Sequence, residues 1–237
     1  MILKTKLFGH VYEFKSVREV MAKANEEKSG DKLAGIAAET AEERVAAKVV
    51  LSHLTLNDLR NSPAVPYEED EVTRIIQDAV NETIFNEFKN MTVAEFREWL
   101  LSESTTTEMI RHAPRGLTSE IAAGVCKLMS NLDLIYAAKK MRVSAHCNTT
   151  IGLPGTFSSR LQPNHTTDDP KGIIASVMEG LSLGCGDAVI GLNPVDDSLE
   201  SVARILKMFD EFKRKWEIPT QICVLAHVTT QTAAADT

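Results

Sequence analysis

The sequence predicts an α/β chain, with a helical region over residues 1–140 and parallel strands alternating with helices over 141–237. Three observations predict it. Apolar residues recur at helical spacing through the first half. After Lys140 the pattern changes to short, almost continuously apolar runs, among them DAVIGL at Asp187–Leu192 and TQICVLAHVT at Thr220–Thr229. Amphipathic segments of helical length separate those runs. Apolar strands divided by such helices build a parallel sheet covered on its faces.

In the first half, Ser16 can cap SVREVMAKANEEK, which places Val17, Val20, Met21 and Ala24 on one face. AEERVAAKVVLSHL follows, with Val45, Val49 and Leu51 apolar, and Thr55 can cap the short LNDLR. Pro63 and Pro66 then break the pattern. One long helix is expected from Tyr67 to Phe88, carrying Val72, Ile75, Ile76, Ala79 and Val80 at helical spacing. Thr92 and Glu95 form a capping box for TVAEFREWLL. Pro114 and Gly116 mark a loop, after which Thr118 or Ser119 caps a helix running toward Met129. That helix pauses near Ser130 and resumes as LDLIYAAKKM.

In the second half, a first strand is expected near Asn148 to Leu153, inside NTTIGL. Lys171 to Leu183 reads as a helix, DAVIGL as the second strand, and Ser198 to Lys215 as a helix capped by Asp196 or Asp197. Thr220 to Thr229 reads as the third strand.

Composition narrows the function. With 33 acidic against 26 basic residues the net charge is -7, whereas a nucleic-acid backbone calls for a basic face. No apolar run approaches membrane-spanning length, and the lysine-bearing N-terminus lacks the apolar stretch of a secretory signal. Cys126, Cys147, Cys185 and Cys223 are dispersed without a CxxC pair. That argues against a disulfide scaffold or a zinc site and for free thiols in a reducing cytoplasm.

Parallel α/β folds place their sites at the carboxyl ends of strands. Just past the expected strands lie Arg160 and Gln162, then Asn193 before Pro194, then His227 and Gln231. Each has a structural alternative. Arg160 can pair with a surface carboxylate, and Gln162 can satisfy loop backbone. Asn193-Pro194 is a common turn opener, and His227 in an apolar strand can be a core histidine. Asp168/Asp169 and Asp196/Asp197 read as helix caps. Gly184 and Gly186 in LGCGD precede a strand rather than follow one, which rules out the P-loop and dinucleotide readings.

NTTIGLPGTFSSRLQPN, GLSLGCGDAVIGLNPV and IPTQICVLAHVTTQ resemble the large subunit of ethanolamine ammonia-lyase. So do LAGIAAETAEERVAAKVVLS, TRIIQDAVNETIFN and RGLTSEIAAGVCKL. The resemblance covers the chain from the FGHVY region to Gln231. It implies a helical N-terminal region followed by the first part of a (β/α)8 TIM-type barrel. It implies adenosylcobalamin as cofactor and conversion of ethanolamine to acetaldehyde and ammonia. In this family the cobalt–carbon bond breaks homolytically, and the adenosyl radical removes hydrogen from the carbinol carbon. By the same resemblance Arg160, Leu161, Gln162 and Asn193 are catalytic or substrate-binding, Pro194 touches the cofactor, and no protein residue ligates a metal. The implied partners are the small subunit and other large subunits, in the cytoplasm and within a bacterial microcompartment.

A (β/α)8 barrel needs roughly 250 residues and eight strands, yet only three strands are read here. The expectation is a barrel truncated after its third strand, whose apolar edge is left bare, and a chain without ammonia-lyase activity by itself. Two other readings stay open. One is an inactive homologue acting only in assembly; the other is an unrelated small α/β protein that binds an acidic metabolite through Arg160.

Overall fold

The structure, a computed structural model, describes residues 3–235. Its contacts divide the chain into two compact units, Met1–Arg142 and Val143–Thr237.

The first unit opens with a feature the periodicity did not reveal, an antiparallel hairpin of β1 (Lys4–Leu7) and β2 (His10–Glu13). Its two-residue turn, Phe8-Gly9, has positive φ at both positions (52° and 82°), the geometry that matches strand twist in tight hairpins. Helices follow as α1 (Val17–Lys23), α2 (Ser29–Leu33), α3 (Ala41–His53), α4 (Leu56–Arg60) and α5 (Glu71–Asp78). The rest are α6 (Glu82–Phe88), α7 (Val93–Leu101), α8 (Thr107–His112), α9 (Ser119–Lys127) and α10 (Asn131–Lys140). The capping signals act as written. Ser16, Thr55, Thr92 and Thr118 accept from the backbone N–H three residues on, and Thr92 and Glu95 complete a capping box.

The single helix expected over Tyr67–Phe88 is two. Asn81 accepts from Ile84 N and starts a new helix at Glu82, while Asn81 N donates to Arg115 O. A residue that can cap competes with helix continuation, and the apolar spacing on either side conceals the break. Leu51, Leu56, Leu59, Val93 and Ile121 form the centre of the core of this unit. At its rim Phe88, Phe96 and Trp99 pack with ring centroids 5.1–5.5 Å apart.

The second unit begins with a short antiparallel pair, β3 (Ala145–His146) and β4 (Thr150–Ile151). Then come β5 (Arg160–Leu161), α11 (Pro170–Ser182), β6 (Val189–Leu192), α12 (Leu199–Lys215), β7 (Gln221–Val224) and α13 (Val228–Ala235). β5, β6 and β7 form a parallel sheet in that order.

Three expectations are corrected here. The first parallel strand is Arg160–Leu161 rather than Asn148–Leu153. In the latter run the chain reverses at Cys147–Thr149 so that Thr150–Ile151 pairs antiparallel with β3, and Gly152 at φ +92° followed by Pro154 ends that short strand. The third strand ends at Val224 and the chain enters α13, where Thr232 Oγ1 donates to Val228 O. The end of the tail, residues 236–237, lies outside the described residues. The cap of α12 is Ser198, and Asp196 instead accepts from Ser198 N and Oγ. Among the described residues no helix is long and apolar enough to cross a membrane.

Candidate functional site

Side chains alternate across a strand, so the sheet register sorts the candidates. Leu161, Ile190 and Ile222 are in register, as are Leu192 and Val224. All five belong to the apolar cluster formed with Ile173, Val177, Val202, Ile205 and Phe209 of α11 and α12. Arg160, Val189, Gly191 and Cys223 therefore face the other way. Continuing the alternation, Gln162 and Asn193 follow Leu161 and Leu192 onto that same helix-free face, at the carboxyl ends of β5 and β6. Leu161 is set apart from its neighbours: its side chain lies on the helix side, against Gly180 of α11.

The structure thus brings Arg160, Gln162 and Asn193 together on one face. All three are exposed, and among the described residues none of their side chains makes a hydrogen bond or ion pair. Pro194, half-buried, begins the loop after Asn193. His227 is neither in a strand nor in the core. It is exposed at the start of α13, with Nδ1 2.7 Å from Thr229 Oγ1. Gln231 Nε2 donates to Ala226 O.

The site is framed by residues that sequence reasoning read differently or passed over. At the entry to β5, Ser159 N and Oγ donate to Asp187 Oδ1 at 2.7 and 2.8 Å, and Gly186 N donates to Ser159 Oγ. The N–H and hydroxyl of Ser159 hold the Asp187 carboxyl below its usual range. A carboxylate with a depressed folded-state pKa contributes stability above its unfolded value of about 4, and loses it as pH falls through the folded value. Asp187→Asn is accordingly expected to lower the melting temperature at pH 6 but not at the acid end, where the two curves converge. A constant offset down to pH 2 would contradict this.

At the exit, Asn193 N donates to Asn164 Oδ1 at 2.9 Å. Val195 N and Asp196 N donate to Asp168 Oδ2 at 2.8 and 2.9 Å. Asp168 is a loop clamp rather than a helix cap; the cap of α11 is Asp169, which accepts from Gly172 N. Asp168 is 3% exposed and sits at φ 51°, a conformation Asp tolerates better than most residues. Asp168→Ala is expected to destabilise the protein by about 1–3 kcal/mol by orphaning its donors. Asp168→Asn keeps an acceptor oxygen and should cost less. Amide exchange at Val195 and Asp196 reads this directly, with protection lost in the alanine variant and kept in the asparagine one.

The opposite end of the sheet is closed by the β3–β4 turn. Gln221 Oε1 accepts from Asn148 N and Thr149 N at 2.8 and 3.0 Å. Its Nε2 donates to Thr149 Oγ1 at 2.9 Å and also to Ala188 O. Polar access to the sheet is thereby left at the carboxyl ends, where Gln162 and Asn193 stand; Arg160 starts level with Val189 and Gln221, at the other end of the strands, and its guanidinium lies beside Gly191. Cys126, Cys147, Cys185 and Cys223 are all free thiols.

Comparison with known proteins gives the family. The family model described as ethanolamine ammonia lyase large subunit (EutB) matches residues 12–237. The chain belongs to the ethanolamine ammonia-lyase large-subunit family. The ethanolamine ammonia-lyase large subunit of Escherichia coli (strain K12) is 58% identical over 234 residues, covering 99% of this chain and 52% of that protein. The protein of the same name from Salmonella typhimurium (strain LT2) matches with the same identity and coverage. The chain therefore spans about half the length of the curated ethanolamine ammonia-lyase subunits it matches. The family resemblance read from NTTIGLPGTFSSRLQPN and GLSLGCGDAVIGLNPV thus holds over nearly the entire chain.

Proposed function

We propose that this chain supplies the substrate-facing first part of an ethanolamine ammonia-lyase large subunit, which converts ethanolamine to acetaldehyde and ammonia. On this reading residues 1–140 are the helical N-terminal region and residues 141–237 carry the opening units of a (β/α)8 barrel. The observation that carries it is the shared sheet face of Arg160, Gln162 and Asn193, with Gln162 and Asn193 at the carboxyl strand ends where barrel enzymes build their sites and the Arg160 guanidinium extending along that face to Gly191.

The chemistry suits a two-carbon amino alcohol. The Arg160 guanidinium donates to the substrate hydroxyl oxygen. The amide oxygens of Gln162 and Asn193 accept from the ammonium, and their NH2 groups donate to the hydroxyl. Leu161 contributes by placing its two neighbours on the site face while its own side chain anchors β5 to α11. Such groups, set in advance by a rigid sheet, orient a reactive substrate without reorganising during reaction.

The residues also fit one side of an adenosylcobalamin bed. Pro194 offers a rigid apolar ring, held on both sides by the bonds of Asn193 N to Asn164 and of Val195 N to Asp168. When bound, that cofactor supplies the hydrogen abstraction at the carbinol carbon. The small subunit and further large subunits complete the assembly, in the cytoplasm and inside a microcompartment. The second reading, an inactive homologue that serves assembly alone, needs the same helical region but no function for Arg160.

The test is acetaldehyde release from a large subunit of the relatives' full length that begins with this sequence, assembled with small subunit and adenosylcobalamin. Turnover there, and none from the 237-residue chain under the same conditions, is the expected pair of results. Acetaldehyde from the 237-residue chain would overturn the half-barrel reading. Silence from the full-length assembly, correctly folded, would favour the inactive homologue.

A further inference from the structure

Gly191 lies inside β6, buried, in register with Cys223 of β7. A glycine inside a strand weakens it and often marks a close approach. The φ of Gly191 lies outside the left-handed region, so the backbone does not call for glycine there. Space does. A Cβ on Gly191 would stand 2.6 Å from Cys223 Sγ, 2.8 Å from Arg160 Nη2 and 3.2 Å from Arg160 Cζ. The guanidinium of Arg160 thus lies across β6 at the one position without a side chain.

We propose that Gly191 is a positioning residue, a bare patch on β6 that sets where the Arg160 guanidinium rests relative to Gln162 and Asn193. This rests on the reading of Arg160 as a substrate-binding group. It adds that the direction of the arginine fork is determined by the strand beneath it. Arginine has a long, rotamer-rich side chain, and Arg160 has no hydrogen-bonded partner among the described residues to fix its end. A steric bed is then what selects among its rotamers. The clashing Arg160 atoms are the far end of a flexible chain, so a methyl at Gly191 displaces the guanidinium, and it also pushes the short Cys223 side chain, whose Sγ is the nearest atom.

The experiment compares Gly191→Ala with the parent in two settings. In the 237-residue chain, the guanidinium ¹⁵N resonance of Arg160, assigned by its disappearance in Arg160→Lys, is expected to shift. In the full-length assembly, kcat/KM is expected to fall by about 10- to 100-fold, the scale for a small misplacement of a catalytic group. In an Arg160→Ala background the same methyl should add no further loss. Adding Cys223→Ala removes the thiol clash but not the guanidinium one, so it should not restore activity.

Recovery of activity with Cys223→Ala would overturn the proposal, since the glycine would then be making room for the thiol. An undisturbed Arg160 resonance in Gly191→Ala would overturn it as well. A shifted resonance with unchanged turnover would leave the positioning intact and instead sink the reading of Arg160 as a substrate-binding group.

Discussion

Arg160→Ala is expected to lower ethanolamine turnover by roughly 10²- to 10³-fold, the range seen on removing one preorganised donor from an active site. The melting temperature should move by no more than about 4 °C, because substitutions at exposed residues usually stay within about 0.5 kcal/mol. The two expectations have one structural origin. The Arg160 side chain is exposed, and no carboxylate among the described residues pairs with it, so removing it breaks no ion pair and opens no core. What is lost is a planar fork aimed at the strand ends. Arg160→Lys keeps the charge and loses the fork, which places its turnover between parent and alanine variant. The measurement is kcat and KM in the full-length assembly alongside thermal unfolding of the same samples. Parallel losses of activity and stability would make Arg160 a structural residue and remove the centre of the proposed site.

How far the sequence could be read depends on which interactions are local. Caps are local, and Ser16, Thr92 and Thr118 announce their helices three residues ahead. Apolar periodicity is local too, which is why α3, α7, α11 and α12 stand out. The β1–β2 hairpin carries only a weak signal: Leu3, Leu7 and Tyr12 pack on the core, but Lys4, Thr5 and Lys6 between the two leucines make the run too polar to stand out as a strand. The first parallel strand was misplaced for a related reason. TTIGL is more apolar than SRL, but a strand is made by its partner's hydrogen bonds, and β6 pairs with Arg160–Leu161. Arg160, Gln162 and Asn193 stood out as candidates because they follow the expected apolar strands, where parallel α/β folds place their sites. Gly191, Asp187 and Asp168 were not, since their importance comes from residues 27–32 positions away that only the fold brings near. The separation of Leu161 from Arg160 and Gln162 follows from period-two alternation once the strand is correctly placed.

Phe209→Ala is expected to cost about 3–5 kcal/mol, the usual range for emptying a buried aromatic site. Phe209 is 1% exposed on α12 and belongs to one cluster with Ile190 and Leu192 of β6 and Val224 of β7. For a unit of this size each kcal/mol shifts the transition by about 4–8 °C, so a fall of more than about 12 °C is expected. Phe209→Leu fills more of the volume and should lose less. Amide exchange at Ile190 and Leu192 should quicken in proportion, because those amides belong to the strand that the Phe209 ring supports. Asn193 follows Leu192 directly, so loosening β6 also moves a substrate-binding amide. Activity should therefore fall together with stability and recover on cooling, the reverse of the signature expected for Arg160→Ala. A Phe209→Ala protein that melts within about 4 °C of the parent would mean that the sheet is held by something other than its packing on α12. The strand-end groups would then owe their positions to something other than this core.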